Sequence, residues 1–239
     1  MAKIKELEEY RQFTGKPELH KAINTLKGMV AGITTDHKIS EDEINELSHW
    51  CLCHSHLIDQ HPFNELIPII KNAYEDGILT SEESDDIVWL CNSFVSDSKK
   101  DFYDLVTSSI QFLSGMIHGM LSDGELSDSE IHSLRRWVDA NSFLSGCYPF
   151  DEIESLLVSI LEDGIITEDE RNTLKAFLSN FVDLQTSYNL NAPDFEDLRN
   201  KYSIEGICAI CEHMDIEGTE ICFTGQSTKA SRNEIAKII

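Results

Sequence analysis

The chain repeats itself. Adding 87 to the number of a residue between 26 and 94 reaches its counterpart with no insertion or deletion. Gly28 maps onto Gly115, Met29 onto Met116, Gly32 onto Gly119 and Asp36 onto Asp123. Glu43-Ile44 maps onto Glu130-Ile131, Trp50 onto Trp137, Pro62-Phe63 onto Pro149-Phe150, and Glu75-Asp76-Gly77-Ile78 onto Glu162-Asp163-Gly164-Ile165. A gapless offset means two copies of one folding unit, so a fold assigned to one copy has to serve the other. It also provides an internal control: a residue present in one copy only is not required by the shared fold.

Each copy divides again into two helix-turn-helix units. The first kind of turn runs Asp36-His37-Lys38-Ile39-Ser40-Glu41-Asp42-Glu43, and in copy two Asp123-Gly124-Glu125-Leu126-Ser127-Asp128-Ser129-Glu130. The second kind runs Asp76-Gly77-Ile78-Leu79-Thr80-Ser81-Glu82-Glu83, and then Asp163-Gly164-Ile165-Ile166-Thr167-Glu168-Asp169-Glu170. All four end in Ser/Thr-x-x-Glu, the capping box in which the hydroxyl accepts the N3 amide and the Glu accepts the N-cap amide. The Gly after Asp, present in three of the four, suits the stop of the preceding helix. The apolar stripes Ile44, Leu47, Trp50 and Ile131, Leu134, Trp137 have helical spacing.

No strand alternation occurs before residue 218. From Ile216 the pattern changes: Gly218-Thr219-Glu220-Ile221-Cys222-Phe223-Thr224-Gly225 reads as turn, strand and Thr-Gly loop, and Ser231 to Ile239 as the start of a helix. The expected fold class is therefore all-α for two tandem copies of a paired helix-turn-helix unit, followed by an incomplete C-terminal α/β fragment. The expected organisation is an N-terminal helix in 1–25, copy one in 26–94, a connector in 95–112, copy two in 113–181, a linker in 182–215 and the distinct segment 216–239.

Of 239 residues, 41% are apolar, enough for a packed core, and 43 Asp/Glu against 19 Lys/Arg give a net charge of -24. Such acidic repeats repel phosphate backbones, which argues against direct nucleic-acid binding and for a cation or another protein as partner. No apolar run is long enough for a membrane span. The charged N-terminus has no signal-peptide pattern, so the expected location is cytoplasmic, with the seven cysteines reduced.

The Asp-Gly turns resemble half of a calcium loop. Aligning Gly77 with the loop glycine places Asn72 and Tyr74, and in copy two Ser159 and Leu161, where oxygen ligands belong, so no single turn supplies a full set. A weaker divalent site, for calcium or magnesium, would require several turns to pool Asp36, Glu43, Asp76, Glu83, Asp123, Glu130, Asp163 and Glu170. The competing reading of the same glutamates is helix capping. Cys51-Leu52-Cys53-His54-Ser55-His56, with His61, has zinc-type ligands, but the matching positions are Val138, Ala140, Asn141, Phe143 and Tyr148. A zinc required by the fold is excluded, which leaves only a copy-specific site. Cys208-Ala-Ile-Cys211 is a lone pair. No phosphate loop, nucleophile elbow or zinc-protease motif occurs, so the expected protein is not an enzyme.

On the Asp-Gly-x-[Leu/Ile]-[Ser/Thr]-x-x-Glu turns and the preceding Gly-Met-Ile-His-Gly-Met-Leu-Ser at 115–122, the span 26–181 resembles the TerB family of tellurite-resistance-associated helical domains. That resemblance implies an all-helical, stress-linked module with an acidic, cation-binding surface. On Phe223-Thr224-Gly225 followed by Ser231-Arg232, the end of the chain resembles the start of a BRCT domain like that of bacterial NAD-dependent DNA ligases. This implies Thr224 and Gly225 as a remnant of a phosphate pocket, in an incomplete start of a domain that needs several more strands and helices. Together the two resemblances imply a non-enzymatic interaction or stress-response adaptor linked to DNA repair, with a divalent-cation sensor as the alternative.

Overall fold

The computed structural model describes residues 2–36, 40–76, 80–97, 102–182, 187–190 and 192–202, with side chains described within 15–35, 40–72, 80–93, 102–182, 187–190 and 193–202. Its helices in copy one are α1 (Ala2–Ile33), α2 (Glu41–Cys53), α3 (Phe63–Asp76) and α4 (Ser81–Asp97). In copy two they are α5 (Leu105–Leu121), α6 (Asp128–Ala140), α7 (Phe150–Ile160) and α8 (Glu168–Leu178), followed by α9 (Ala192–Tyr202). There is no β-strand among the described residues. The fold class is corrected to all-α, and the α/β ending is withdrawn; the segment 216–239, with Thr224 and Gly225, lies outside the described residues. A short apolar triplet followed by a Thr-Gly loop is too little to specify a sheet, which needs several paired strands.

The capping boxes form as their spacing requires. Ser40, Ser127 and Thr167 each accept the N3 amide through the side chain while Glu43, Glu130 and Glu170 accept the N-cap amide. Thr80 and Glu83 do the same at α4. Gly124 and Gly164 take φ of +78° and +74°, the left-handed stop that follows a helix. The shared unit repeats in finer detail too: His61-Pro62 and Tyr148-Pro149 are both cis, and Phe63 and Phe150, the next residues, are both fully buried.

The two copies meet along α1 and α5. Asn24 Nδ2 donates to Gln111 Oε1 at 2.8 Å across a separation of 87 residues, so each residue bonds to its own counterpart. A Cβ on Gly28 would fall on the carbonyl oxygen of Phe112, and one on Gly115 on the carbonyl oxygen of Thr25, Phe112's counterpart. The same holds one turn on: Gly32 faces Met116 O, and Gly119 faces Met29 O. These reciprocal contacts define a local two-fold axis. Because residue numbers rise together along both helices, α1 and α5 run in the same direction. Glycine four residues apart on each helix lets the backbones touch, the packing that small residues permit. Each copy then wraps its own core around its seam helix, Ile23, Leu26, Met29, Leu47, Phe63 and Ile87 in one, Ile117, Leu134, Phe150, Leu157 and Leu174 in the other.

Candidate acidic junction and docking face

A parallel seam brings both first-kind turns to the same end of the molecule. There the turn Thr34–Asp36 packs against α6, and Glu43 of α2 lies close enough to Glu130 of α6 for its charge to raise the Glu130 carboxyl. Glu43 is 4% exposed and Glu130 6% exposed. Burial is the main cause that lifts the Glu130 carboxyl from 4.5 to about 7; its hydrogen bonds with Ser127 pull the other way, and Asp123 and Glu43 push it up further. Four of the eight acids named in the sequence thus belong to this end, from both copies, although the Asp36 side chain lies outside the described residues.

The other named acids hold their own turns. Asp123 Oδ1 accepts Glu125 N at 2.8 Å and Asp163 Oδ1 accepts Ile165 N at 2.9 Å. Glu83 and Glu170 close capping boxes at α4 and α8, and the Asp76 side chain lies outside the described residues. In copy two, Lys175 Nζ donates to Gly124 O and Arg171 to Leu126 O, so two cations already neutralise that turn. No three His, Cys, Asp or Glu side chains among the described residues group so as to hold a metal ion.

Beside the acids sits a polar cluster that no motif announces. His118, on the last turn of α5, and Glu46, one turn past Glu43 on α2, pair at 2.7 Å, the side chains 7% and 1% exposed. Glu46 also accepts the backbone amides of Tyr188 (3.1 Å) and Asn189 (3.0 Å). Burial raises the Glu46 carboxyl, but the hydrogen bonds from His118 and Asn189 outweigh it and hold the group below 4.5. The Asn189 side chain donates to Asp42 O at 2.5 Å and Ser122 O at 2.9 Å, one from each copy. Within the span expected as a linker, Tyr188 and Asn189 therefore clip the copies together. Ala31 and Ser133 stand at the matching positions of His118 and Glu46, so the clip is not part of the repeat.

The copies also differ on their outer faces. In copy two, α9 packs on α8: Arg199 donates to Ser179 Oγ at 2.8 Å and to Ser179 O at 2.5 Å, Tyr202 reaches Asp169 at 3.4 Å, and Ala176 is 3% exposed. The matching stripe of α4 carries Glu82, Trp89 and Asn92, with Asp85 and Asp86 beside them. There Trp89, in the place of Ala176, is 65% exposed.

Among the described residues, no helix is long and apolar enough to cross a membrane. Comparison with family models, with curated proteins and with solved structures gave no match. The resemblances to TerB and to BRCT domains are corrected accordingly. Capping-box turns between amphipathic helices recur wherever helical hairpins are built, and the motif alone does not carry a family.

Proposed function

We propose that this chain is a non-enzymatic binding module that captures a basic, amphipathic helix of another protein on α4. The observation that carries the reading is the asymmetry between equivalent faces. The position covered by α9 in copy two is open in copy one and holds Trp89, flanked by Glu82, Asp85 and Asp86. Exposed tryptophan ringed by charge is the composition of an interface anchor. The acidic stripe favours Lys/Arg-bearing partners and disfavours nucleic acid. The buried His118–Glu46 pair supports a structural use of the chain's acid-base groups, since Glu46 is saturated by His118 and two backbone amides. A cytoplasmic location accords with the four described cysteines being free and belongs to the same proposal. The stress and DNA-repair links rested on the two resemblances and fall with them.

The test is affinity capture with the whole chain, followed by reconstitution with the purified partner. Trp89→Ala is expected to weaken that complex by ten- to a hundredfold, the range of an interface anchor, and Asp85→Lys with Asp86→Lys to slow association. A partner bound equally well by Trp89→Ala would sink the reading.

A second reading is kept for one observation, the elevation of the Glu130 carboxyl by burial and by the neighbouring Asp123 and Glu43. A divalent cation, calcium or magnesium, near Glu130 would relieve the repulsion from Asp123 and Glu43, although among the described residues these acids do not form a ready-made ligand set. It predicts that millimolar calcium raises the melting temperature of the parent and leaves Glu130→Gln unchanged.

A further inference from the structure

The chain carries its own match for the open face of α4. Glu82, Asp85, Asp86 and Trp89 are exposed and fall on one stripe at helical spacing. Among the described residues none of these three acids enters an ion pair, and α4 contains no Lys or Arg. Resting on the reading of α4 as a receptor for a basic helix, we propose that residues 226–239 of the same chain dock on this stripe and hold it closed until a partner displaces them.

Charge complementarity carries the proposal. Residues 203–225 hold five acids and no Lys or Arg; the sign then reverses, and 226–239 hold Lys229, Arg232 and Lys237 against Glu234 alone. Residues 226–239 lie outside the described ones, but their sequence has the pattern the stripe calls for. Ser231 and Glu234 have capping-box spacing, and Ile235, Ile238 and Ile239 would share one face of the helix that follows. Such a segment sets an apolar edge against Trp89 and cations against Glu82, Asp85 and Asp86. The same face of a second copy would set acid against acid and is disfavoured.

The repeat shows the mode and the chain length permits it. In copy two the counterpart stripe is already covered by a C-terminal helix of this chain, α9, with Arg199 on Ser179 and Tyr202 reaching Asp169. Copy one offers Asn92 and Glu82 at those two places. From Tyr202, the last residue of α9, 29 residues lead to Ser231. Extended, they span up to about 95 Å, more than twice the roughly 40 Å width of a compact body of this length. Tethering gives an effective concentration on the order of 1 mM, so a segment that binds at about 0.1 mM weakens an outside ligand by about tenfold.

The experiment uses the full chain, kept reduced, and follows the Trp89 indole by 1H–15N NMR, assigned with Trp89→Phe. Lys229→Glu, Arg232→Glu and Lys237→Glu together are expected to shift that resonance, and about 0.5 M NaCl to move the parent the same way. A synthetic peptide of residues 226–239 is expected to bind the charge-reversed chain about tenfold more tightly than the parent, and to lose at least about tenfold when Trp89→Ala is added. An indole unmoved by charge reversal overturns the proposal. So does a peptide bound equally well by the Trp89→Ala chain, or a parent resonance that shifts with chain concentration, which assigns the segment to a second copy. Self-docking fails alone when the indole is unmoved while Trp89→Ala still weakens the captured partner's complex; α4 fails as a receptor when that complex ignores Trp89→Ala.

Discussion

Replacing Gly28 with alanine tests the seam most directly. The new Cβ would land on Phe112 O, 2.8 Å from Met116 N and 2.9 Å from the Phe112 carbonyl carbon, all backbone atoms. No side chain can rotate away, so α1 and α5 have to part. Opening a packed helix pair by even 0.5–1 Å forfeits a quarter to a half of each dispersion contact along it. Overpacking of this kind costs about 1–3 kcal/mol, and backbone on both sides places Gly28 near about 3. Alanine returns about 1 kcal/mol of helix propensity. The net expectation is a loss of about 2 kcal/mol. Gly15 lies in the same helix with nothing within 4 Å of an added Cβ, so Gly15→Ala keeps the propensity gain alone and is expected to stabilise by up to about 1 kcal/mol. Urea unfolding at constant m reads both shifts as midpoints. Gly28→Ala with Gly115→Ala is expected to cost less than the sum of the two, because helices once parted accommodate the second methyl. A Gly28→Ala midpoint at or above that of the parent would refute the close-packed seam.

Three further perturbations follow from the junction and the turns. The Glu130 carboxyl titrates at about 7 in the folded chain against 4.5 unfolded, so the folded state holds the proton more tightly and stability falls as pH rises from 4.5 through 7. The upper bound is about 3 kcal/mol, and Glu130→Gln, which can still close the capping box, is expected to flatten urea midpoints over that window; an unchanged slope contradicts the elevation. Glu46→Ala strands His118 and two amides and is expected to cost about 3–5 kcal/mol, with hydrogen exchange at Tyr188 and Asn189 accelerating more than at Leu174. Ser127→Ala and Thr167→Ala are each expected to lose about 1 kcal/mol in the same unfolding assay, the worth of an N-cap hydroxyl.

The local rules were readable in the sequence because they are local. A Ser or Thr with Glu three residues later fixes its own helix start, and the four boxes at residues 40, 80, 127 and 167 form as spaced. Gly124 and Gly164 stop helices for the same reason. What periodicity could not show is which face of a helix meets which. Gly28 and Gly115 are visible as matching residues, yet their spacing to Gly32 and Gly119 says nothing of the carbonyls against them until α1 and α5 are laid side by side. The site was legible in part. Glu43 and Glu130 stand out as repeated acids, but their approach depends on the parallel seam. His118 and Glu46 lie 72 residues apart, and Asn189 and Asp42 147 apart, in no repeated pattern. The C-terminal segment read as a strand followed a composition change that specifies no pairing partner.

The seam also sets a schedule. Its hydrogen bond and its reciprocal glycine contacts join residues about 87 positions apart, whereas each capping box closes over three. Hairpins therefore form early, and joining the copies comes late, after a long loop has closed. On the ribosome α1 is complete well before α5 has been made. At about 5–20 residues per second, the glycine-lined face of α1 waits on the order of ten seconds for its match. During that interval it can meet the same face on another nascent chain, and the equivalence of the two copies makes this wrong pairing nearly as good as the right one. Slowing synthesis between residues 40 and 105 should lengthen the wait and raise the yield of intertwined dimers.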